Sequence, residues 1–457
     1  MLKKYIGTKS FYKNAILIAL PVMLQQLIQS LVNLIDNFMV AGLGDLKMSG
    51  VNTAGQLIFV FQVLITVICT SGGIFLTQHF GAKNKNGMQQ AVCFKILLAS
   101  IAAVLFMFIC FVIPRQTLSV MLIGNSDANE IINEGEIYMR LMGYIAIPMC
   151  VSYIIATSLR EIGNVNPPLY ITIIATAINA FFNYALIYGN FGAPRLEVRG
   201  AAIATIIARV SEMIMFIIYV SKNKQPFNIK FETLFHIDFV MFKEMLQKAL
   251  MIIFSEMLWV LSETVTTAIY NGRGGADVVS GMASSFSIAN LFFISFSGIT
   301  ASTSVILGKK LGENNLDEAR TQKDWLMFLS IIFGFIMTGV ALLTMLLVPV
   351  VFGKLSLSAQ KICKDMVFFL ALIMPLWVYQ NAQFAVSRAG GDTKMGVYVD
   401  GIFTIGLYFP LIFILGLCTD IGPVALYFVA KLVDIPKVIF ADWWLKKERW
   451  IKNLTVN

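Results

Sequence analysis

An ionised side chain inside hydrocarbon costs at least a few kcal/mol, so acids within apolar segments are functional candidates, with helix pairing as their plain alternative. Asp36 is the first of these. It lies in the run from Ala19 to Asn37, with no basic residue in the same apolar stretch to neutralise it. Gln25, Gln26, Gln29, Asn33 and Asp36 recur every three to four residues, which sets them along one polar helix face. Pro21 removes one backbone hydrogen bond at the start of that face and can act as a hinge. Such a face suits carriage of a coupling proton or ligation of a small cation by Asp36; the alternative is interhelical hydrogen bonding alone.

Asn179 and Asn183, four apart, stack on one face and each offers an amide oxygen; alone, such a pair more often bridges helices. Glu256 and Glu263 are two turns apart, with Ser255 and Trp259 on or near their face. A carboxylate beside an aromatic ring forms a wall for cationic, aromatic ligands, the ring adding about 0.5–2 kcal/mol. The alternative is a hydrogen bond from each Glu to a neighbouring helix. Arg209 with Glu212 and Lys431 with Asp434 are each three apart and compatible with same-face structural pairing, whereas Asp400 has no near partner.

Composition decides what kind of element holds these groups. Of the 457 residues 58% are hydrophobic and only 13% charged, and the mean hydropathy is +0.77, which excludes a water-soluble enzyme or DNA-binding protein. The net charge of +9 is spread over short loops, so topology explains it better than nucleic acid does. Apolar segments fall at about 14–41, 52–79, 91–113, 137–158, 168–190, 200–220, 245–270, 278–307, 325–352, 366–386, 395–416 and 422–445, each long enough to cross about 30 Å of hydrocarbon. The chain is therefore read as all-α, with twelve transmembrane helices. Every second connection carries the basic residues, among them Lys83, Arg160, Lys222, Lys224, Lys230, Lys309 and Arg388, which places both termini in the cytoplasm.

Six scattered cysteines form no C-x-x-C pair, and His79 and His236 are the only histidines, so no zinc cluster or His-based catalytic site can be assembled. A phosphate-binding G-x-x-x-x-G-K-[ST] motif is missing as well, which argues against ATP hydrolysis on this chain. Neither an enzyme nor a resident cofactor is expected.

The two halves read as a repeat, the plain alternative being that Gly, Asn and Lys simply recur in short cytoplasmic turns. Gly81-Ala-Lys-Asn-Lys-Asn after the second segment parallels Gly312-Glu-Asn-Asn-Leu-Asp after the eighth, an offset of about 230 residues. Leu159-Arg-Glu-Ile-Gly-Asn parallels Ser387-Arg-Ala-Gly-Gly-Asp at nearly the same offset. Six segments repeated in one orientation imply two pseudo-symmetric six-helix bundles, residues 1–220 and 245–457, joined by a cytoplasmic linker at 221–244, with a central cleft expected between them.

Taken in order, Leu20-Pro21, Asp36, Gly42, the Gly81-Ala-Lys-Asn turn, Arg160 through Pro167, Asn179 to Asn183, and Gly200-Ala-Ala-Ile-Ala-Thr resemble the MATE (multidrug and toxic compound extrusion) transporters over almost the whole chain. The resemblance implies a secondary antiporter of a cell membrane, as in bacteria, that exports organic, often cationic and amphipathic compounds against H⁺ or Na⁺ by alternating access. It places the family's N-terminal cation site on Asp36, Asn179, Asn183 and Thr205. Position 183 is often Asp in relatives with a sodium site, and here it is Asn183. The resemblance also matches Glu256 to an acidic position of the seventh span, while the tenth span offers Gln380 and Gln383 but no acid. Gln25, Gln29, Asn33, Glu256 and Trp259 are the expected substrate-cavity residues. The expected partners are small organic cations and membrane lipid, not nucleic acid, with the chain acting as a monomer. The alternative is a lipid-linked precursor flippase of the same superfamily.

Overall fold

The computed structural model describes residues 6–122, 127–229, 233, 236–353 and 355–456; Lys230 and part of the expected linker lie outside them. The described residues are helical and contain no strand. In hydrocarbon only an element that satisfies its own backbone polar groups survives, and these long apolar helices do so. They are α1 (Lys9–Ala41), α2 (Asp45–Gly81), α3 (Lys85–Val112), α4 (Pro114–Met121), α5 (Ala128–Met142), α6 (Ala146–Glu161), α7 (Asn166–Tyr188), α8 (Val198–Lys222), α9 (Phe239–Arg273), α10 (Ala276–Gly312), α11 (Leu316–Thr344), α12 (Val348–Val351), α13 (Leu357–Ala389), α14 (Lys394–Asp400), α15 (Phe409–Cys418), α16 (Pro423–Lys431) and α17 (Asp434–Lys446). A π-helical stretch, Gly401–Tyr408, joins α14 to α15.

Eleven continuous helical segments among the described residues are long and apolar enough to span a membrane. The twelfth apolar segment is present as two shorter helices, α16 and α17, interrupted by a turn at Leu432 and Val433.

The repeat extends to the hydrogen bonds that end and restart helices. Lys83 and Asn314 both have left-handed backbones, at φ 55° and 58°. The next residues, Asn84 and Asn315, cap α3 and α11 by accepting from the amides of Gly87 and Glu318. After α6, Gly163 (φ +84°) donates to the Arg160 carbonyl and Asn164 to that of Leu159. After α13, Gly391 (φ +75°) donates to Arg388 and Asp392 to Ser387, the same glycine-terminated cap.

By packing, the chain separates into two compact units. One comprises Met1–Met23, Thr77–Lys83 and Leu246–Asn457; the other comprises Leu24–Leu76 and Asn84–Met245. In the second unit α2 crosses α5 at Gly50 and Gly135, where a Cβ on Gly50 would stand 2.7 Å from the Gly135 nitrogen. In the first unit Gly281 brings α10 equally close to α13, 2.7 Å from the Ala359 carbonyl oxygen. Ile288, Phe292, Val348, Cys363, Val367 and Met374 are buried there as one apolar cluster.

Candidate functional site

Asp36, on the second-last turn of α1, is half-buried and faces α7. The Asn183 amide donates to its Oδ1 at 2.6 Å and to Asn179 Oδ1 at 3.1 Å. With its amide turned, Asn179 donates to both carboxylate oxygens, at 3.1 and 3.2 Å. Both asparagines are buried, and Asn183 Oδ1 has no hydrogen-bond partner. An amide presents N–H or C=O by a simple flip. The same three side chains can therefore hold a bare carboxylate with amide protons, or surround a cation with a carboxylate and amide oxygens.

The helical pairing that positions this group starts deeper in α1, where buried Gln25 donates to Thr172 of α7 at 2.8 Å. Gln29 is half-buried and Asn33 exposed. Thr205 is half-buried on α8, and its hydroxyl donates to its own helix at the Ala201 carbonyl, 3.0 Å. Positive charge reaches Asp36 from another helix: Arg209 of α8 interacts with it electrostatically while pairing with Glu212 at 2.8 Å. That ion pair matches the spacing in the sequence; its proximity to Asp36 does not follow from spacing.

Glu256 and Glu263 of the other unit each hold a base. Glu256 accepts from Arg388 at 3.0 Å, and Trp259 is 53% exposed. Glu263 pairs with Lys431. Same-face pairing of Lys431 with Asp434 is thus corrected, because the turn at Leu432 and Val433 separates their helices. Asp434 instead accepts from the Trp377 indole at 2.7 Å and lies 3.8 Å from Lys437. Lys437 also supplies the partner that Asp400 lacks in its own segment, at 3.5 Å. The apolar stretch 366–386 of the tenth span contains no acid, yet α17 brings Asp442 to it, accepting from Gln383 at 2.7 Å and Tyr379 at 2.9 Å.

One buried pair escaped the sequence reading altogether. Lys95 of α3, with no exposed surface, meets Glu161 of α6 and donates to Ser158 at 3.2 Å. Gly72 and Gly73 of α2 leave the room: a Cβ at either would collide with Lys95 or Glu161. The available signal was a lysine inside an apolar run.

An all-helical membrane chain with a twofold internal repeat, carrying a half-buried carboxylate between amides inside a span, defines a repeat-built membrane transporter. The sequence model of the MatE family matches residues 21–185 and 252–414. The chain belongs to that family and is a multi-pass membrane transporter rather than an enzyme. It is 22% identical over 422 residues to "Uncharacterized transporter YisQ" of Bacillus subtilis, covering 90% of this chain and 87% of the relative. It is 25% identical to "Probable multidrug resistance protein YoeA" of the same organism, covering 89% and 87%. Over 43% of this chain and 42% of the relative it is 26% identical to "Probable multidrug resistance protein NorM" of Thermotoga maritima. The fold matches that of a multidrug resistance MATE family transporter of the MOP superfamily, solved in an outward-facing conformation, with a TM-score of 0.82 at 18% identity, covering 98% and 97% of the two chains.

Proposed function

We propose that the protein is a secondary antiporter that exports organic, cationic amphipathic compounds in exchange for inward H⁺ or Na⁺, and that Asp36 carries the coupling ion. The observation that carries this reading is the pairing of Asp36 with Asn183 and Asn179, three side chains that can exchange amide protons for a bound cation. The relatives named as multidrug resistance proteins support the substrate class. Ion and substrate must favour opposite states, or no exchange is driven. In this reading the drug binds while Asp36 is ion-free, and ion entry from outside bends α1 near Pro21 and releases it. The N-terminal bundle of residues 1–220 then acts against the bundle of 245–457 by alternating access, as a monomer in a cell membrane with both termini cytoplasmic.

The test is efflux of a fluorescent organic cation from proteoliposomes under separate proton and sodium gradients, with Asp36→Asn alongside. One gradient drives export in the wild type and neither does in Asp36→Asn, which still inserts and folds. Ion-driven export retained by Asp36→Asn overturns the assignment, and failure of both gradients in the wild type shifts the substrate toward a specialised metabolite or a lipid.

A further inference from the structure

In the unit that contains Leu246–Asn457, one buried ammonium is surrounded by aromatic rings and a carboxylate. Lys431, the last residue of α16, is 5% exposed, and its ammonium pairs with Glu263 of α9. Three aromatic rings surround the same nitrogen, with centroids at 5.1 Å (Tyr408), 5.2 Å (Tyr427) and 5.9 Å (Trp377). Each ring is fixed by its polar tip. The Tyr408 hydroxyl is bonded to Thr266 Oγ1 at 2.6 Å, Tyr427 donates to Glu263 at 3.4 Å, and Trp377 donates to Asp434 at 2.7 Å. Phe286 packs edge-on against Tyr427, at 5.5 Å between centroids. Aromatic faces gathered around one positive charge, with a carboxylate closing the set, are the chemistry that recognises alkylammonium ions.

Two features separate this from an ordinary buried ion pair. The carboxylate is more accessible than the ammonium: the Glu263 side chain is 25% exposed and that of Lys431 6%. The lysine also sits at the break between α16 and α17, so its position depends on a turn rather than on the middle of a helix.

We propose that Glu263, Trp377, Tyr408 and Tyr427 form a cation site for a primary alkylammonium ion, and that Lys431 is its tethered resident, which keeps the site closed to free cations. In the wild type this site is neutral and filled, so it takes no ion from solution. Truncating the lysine exposes a site with a defined ligand class.

The experiment uses the purified full chain in detergent and reads thermal unfolding. Lys431→Ala removes three methylenes and the ammonium, a fragment that n-propylammonium replaces. The variant unfolds several degrees below the wild type, millimolar n-propylammonium restores at least half of that loss, and n-propanol or sodium chloride restores none. The wild type does not respond, and the rescue disappears in Lys431→Ala combined with Glu263→Gln. Equal effects of propylammonium and propanol, or rescue that persists without the Glu263 charge, overturn the proposal. Should Lys431→Ala fail to accumulate, Lys431→Met keeps the length of the stem and vacates only the ammonium position, and ammonium chloride takes the place of propylammonium, with sodium chloride as its control and the same outcomes. None of these readouts involves transport or Asp36, so the antiport reading stands or falls separately.

Discussion

Gly81 and Gly312 make the same contact on each other's helices. A Cβ at Gly81 would stand 2.1 Å from the Lys309 carbonyl oxygen, and one at Gly312 would stand 1.9 Å from that of Gln78. Each glycine thus rests on the carbonyl three residues before the other, and both pairs are related by the same shift in number (78 to 309, 81 to 312). The recurring Gly turn is therefore a self-complementary crossing of α2 and α10 inside one unit. Small residues at such crossings let helix backbones approach within membranes, where packing replaces the hydrophobic effect as the driving force.

Because the obstacle at each position is backbone, neither helix can yield by a rotamer change. Gly81→Ala and Gly312→Ala each lower stability by about 1–3 kcal/mol, and by similar amounts. Gly339→Ala in α11, with nothing within 4 Å, is neutral or stabilising by up to about 1 kcal/mol. Thermal unfolding of the three purified variants reads the difference.

The sequence carried the fold to this level because apolar runs and recurring Gly-Asn turns are local signals, and the caps at Asn84 and Asn315 follow directly from them. Asp36, Asn179 and Asn183 were recognisable for the same reason, each standing out within its own apolar run. Partners chosen across helices were not. Arg209 near Asp36, Lys431 on Glu263, Lys437 on Asp400 and Arg388 on Glu256 join residues far apart in number, and only packing selects them. Where local spacing was used as a guide to pairing, it succeeded within the continuous helix α8 and failed across the turn between α16 and α17.

If Asp36 carries the coupling ion as proposed, Asn183 sets what it can hold. Its amide lies 2.6 Å from the Asp36 carboxylate, so Asn183→Asp sets a second carboxylate against the first, and two such acids share either a proton or a metal cation rather than both staying bare. The variant binds sodium at least tenfold more tightly than the wild type, read as Na⁺-dependent thermal stabilisation. Asn183→Leu, which keeps the volume and removes the amide, shows no sodium response. Equal sodium affinity in Asn183→Asp and wild type removes this position from the ion site.

Lys95 and Glu161 are strongly coupled because the lysine is wholly buried. Lys95→Met leaves Glu161 without its ammonium and is expected to destabilise by about 3–5 kcal/mol, as breaking one side of a buried pair does. Lys95→Met combined with Glu161→Gln recovers part of that loss, since the carboxylate left without its ammonium is gone, while Arg160 loses the charge of Glu161 in the double variant. A double-mutant cycle on unfolding midpoints measures the coupling, and additive single effects would contradict it.

Pro21 separates helix geometry from ion chemistry. It is buried within α1, and without an N–H it leaves the carbonyl four residues earlier, that of Leu17, with no helical partner. Two residues further on, between Met23 and Leu24, α1 passes from one compact unit to the other. Pro21→Ala restores the hydrogen bond and removes a residue that disfavours helix interiors by about 3 kcal/mol, so the folded protein is at least as stable as the wild type. If release of substrate requires α1 to bend at this point, the gain in helix strength opposes the step: export falls at least tenfold while substrate affinity in detergent and the unfolding midpoint are kept. Export within twofold of the wild type would leave Asp36 to work without a bend at Pro21. A lowered unfolding midpoint would instead make the proline a packing residue, since no gain in helix strength accounts for lost stability.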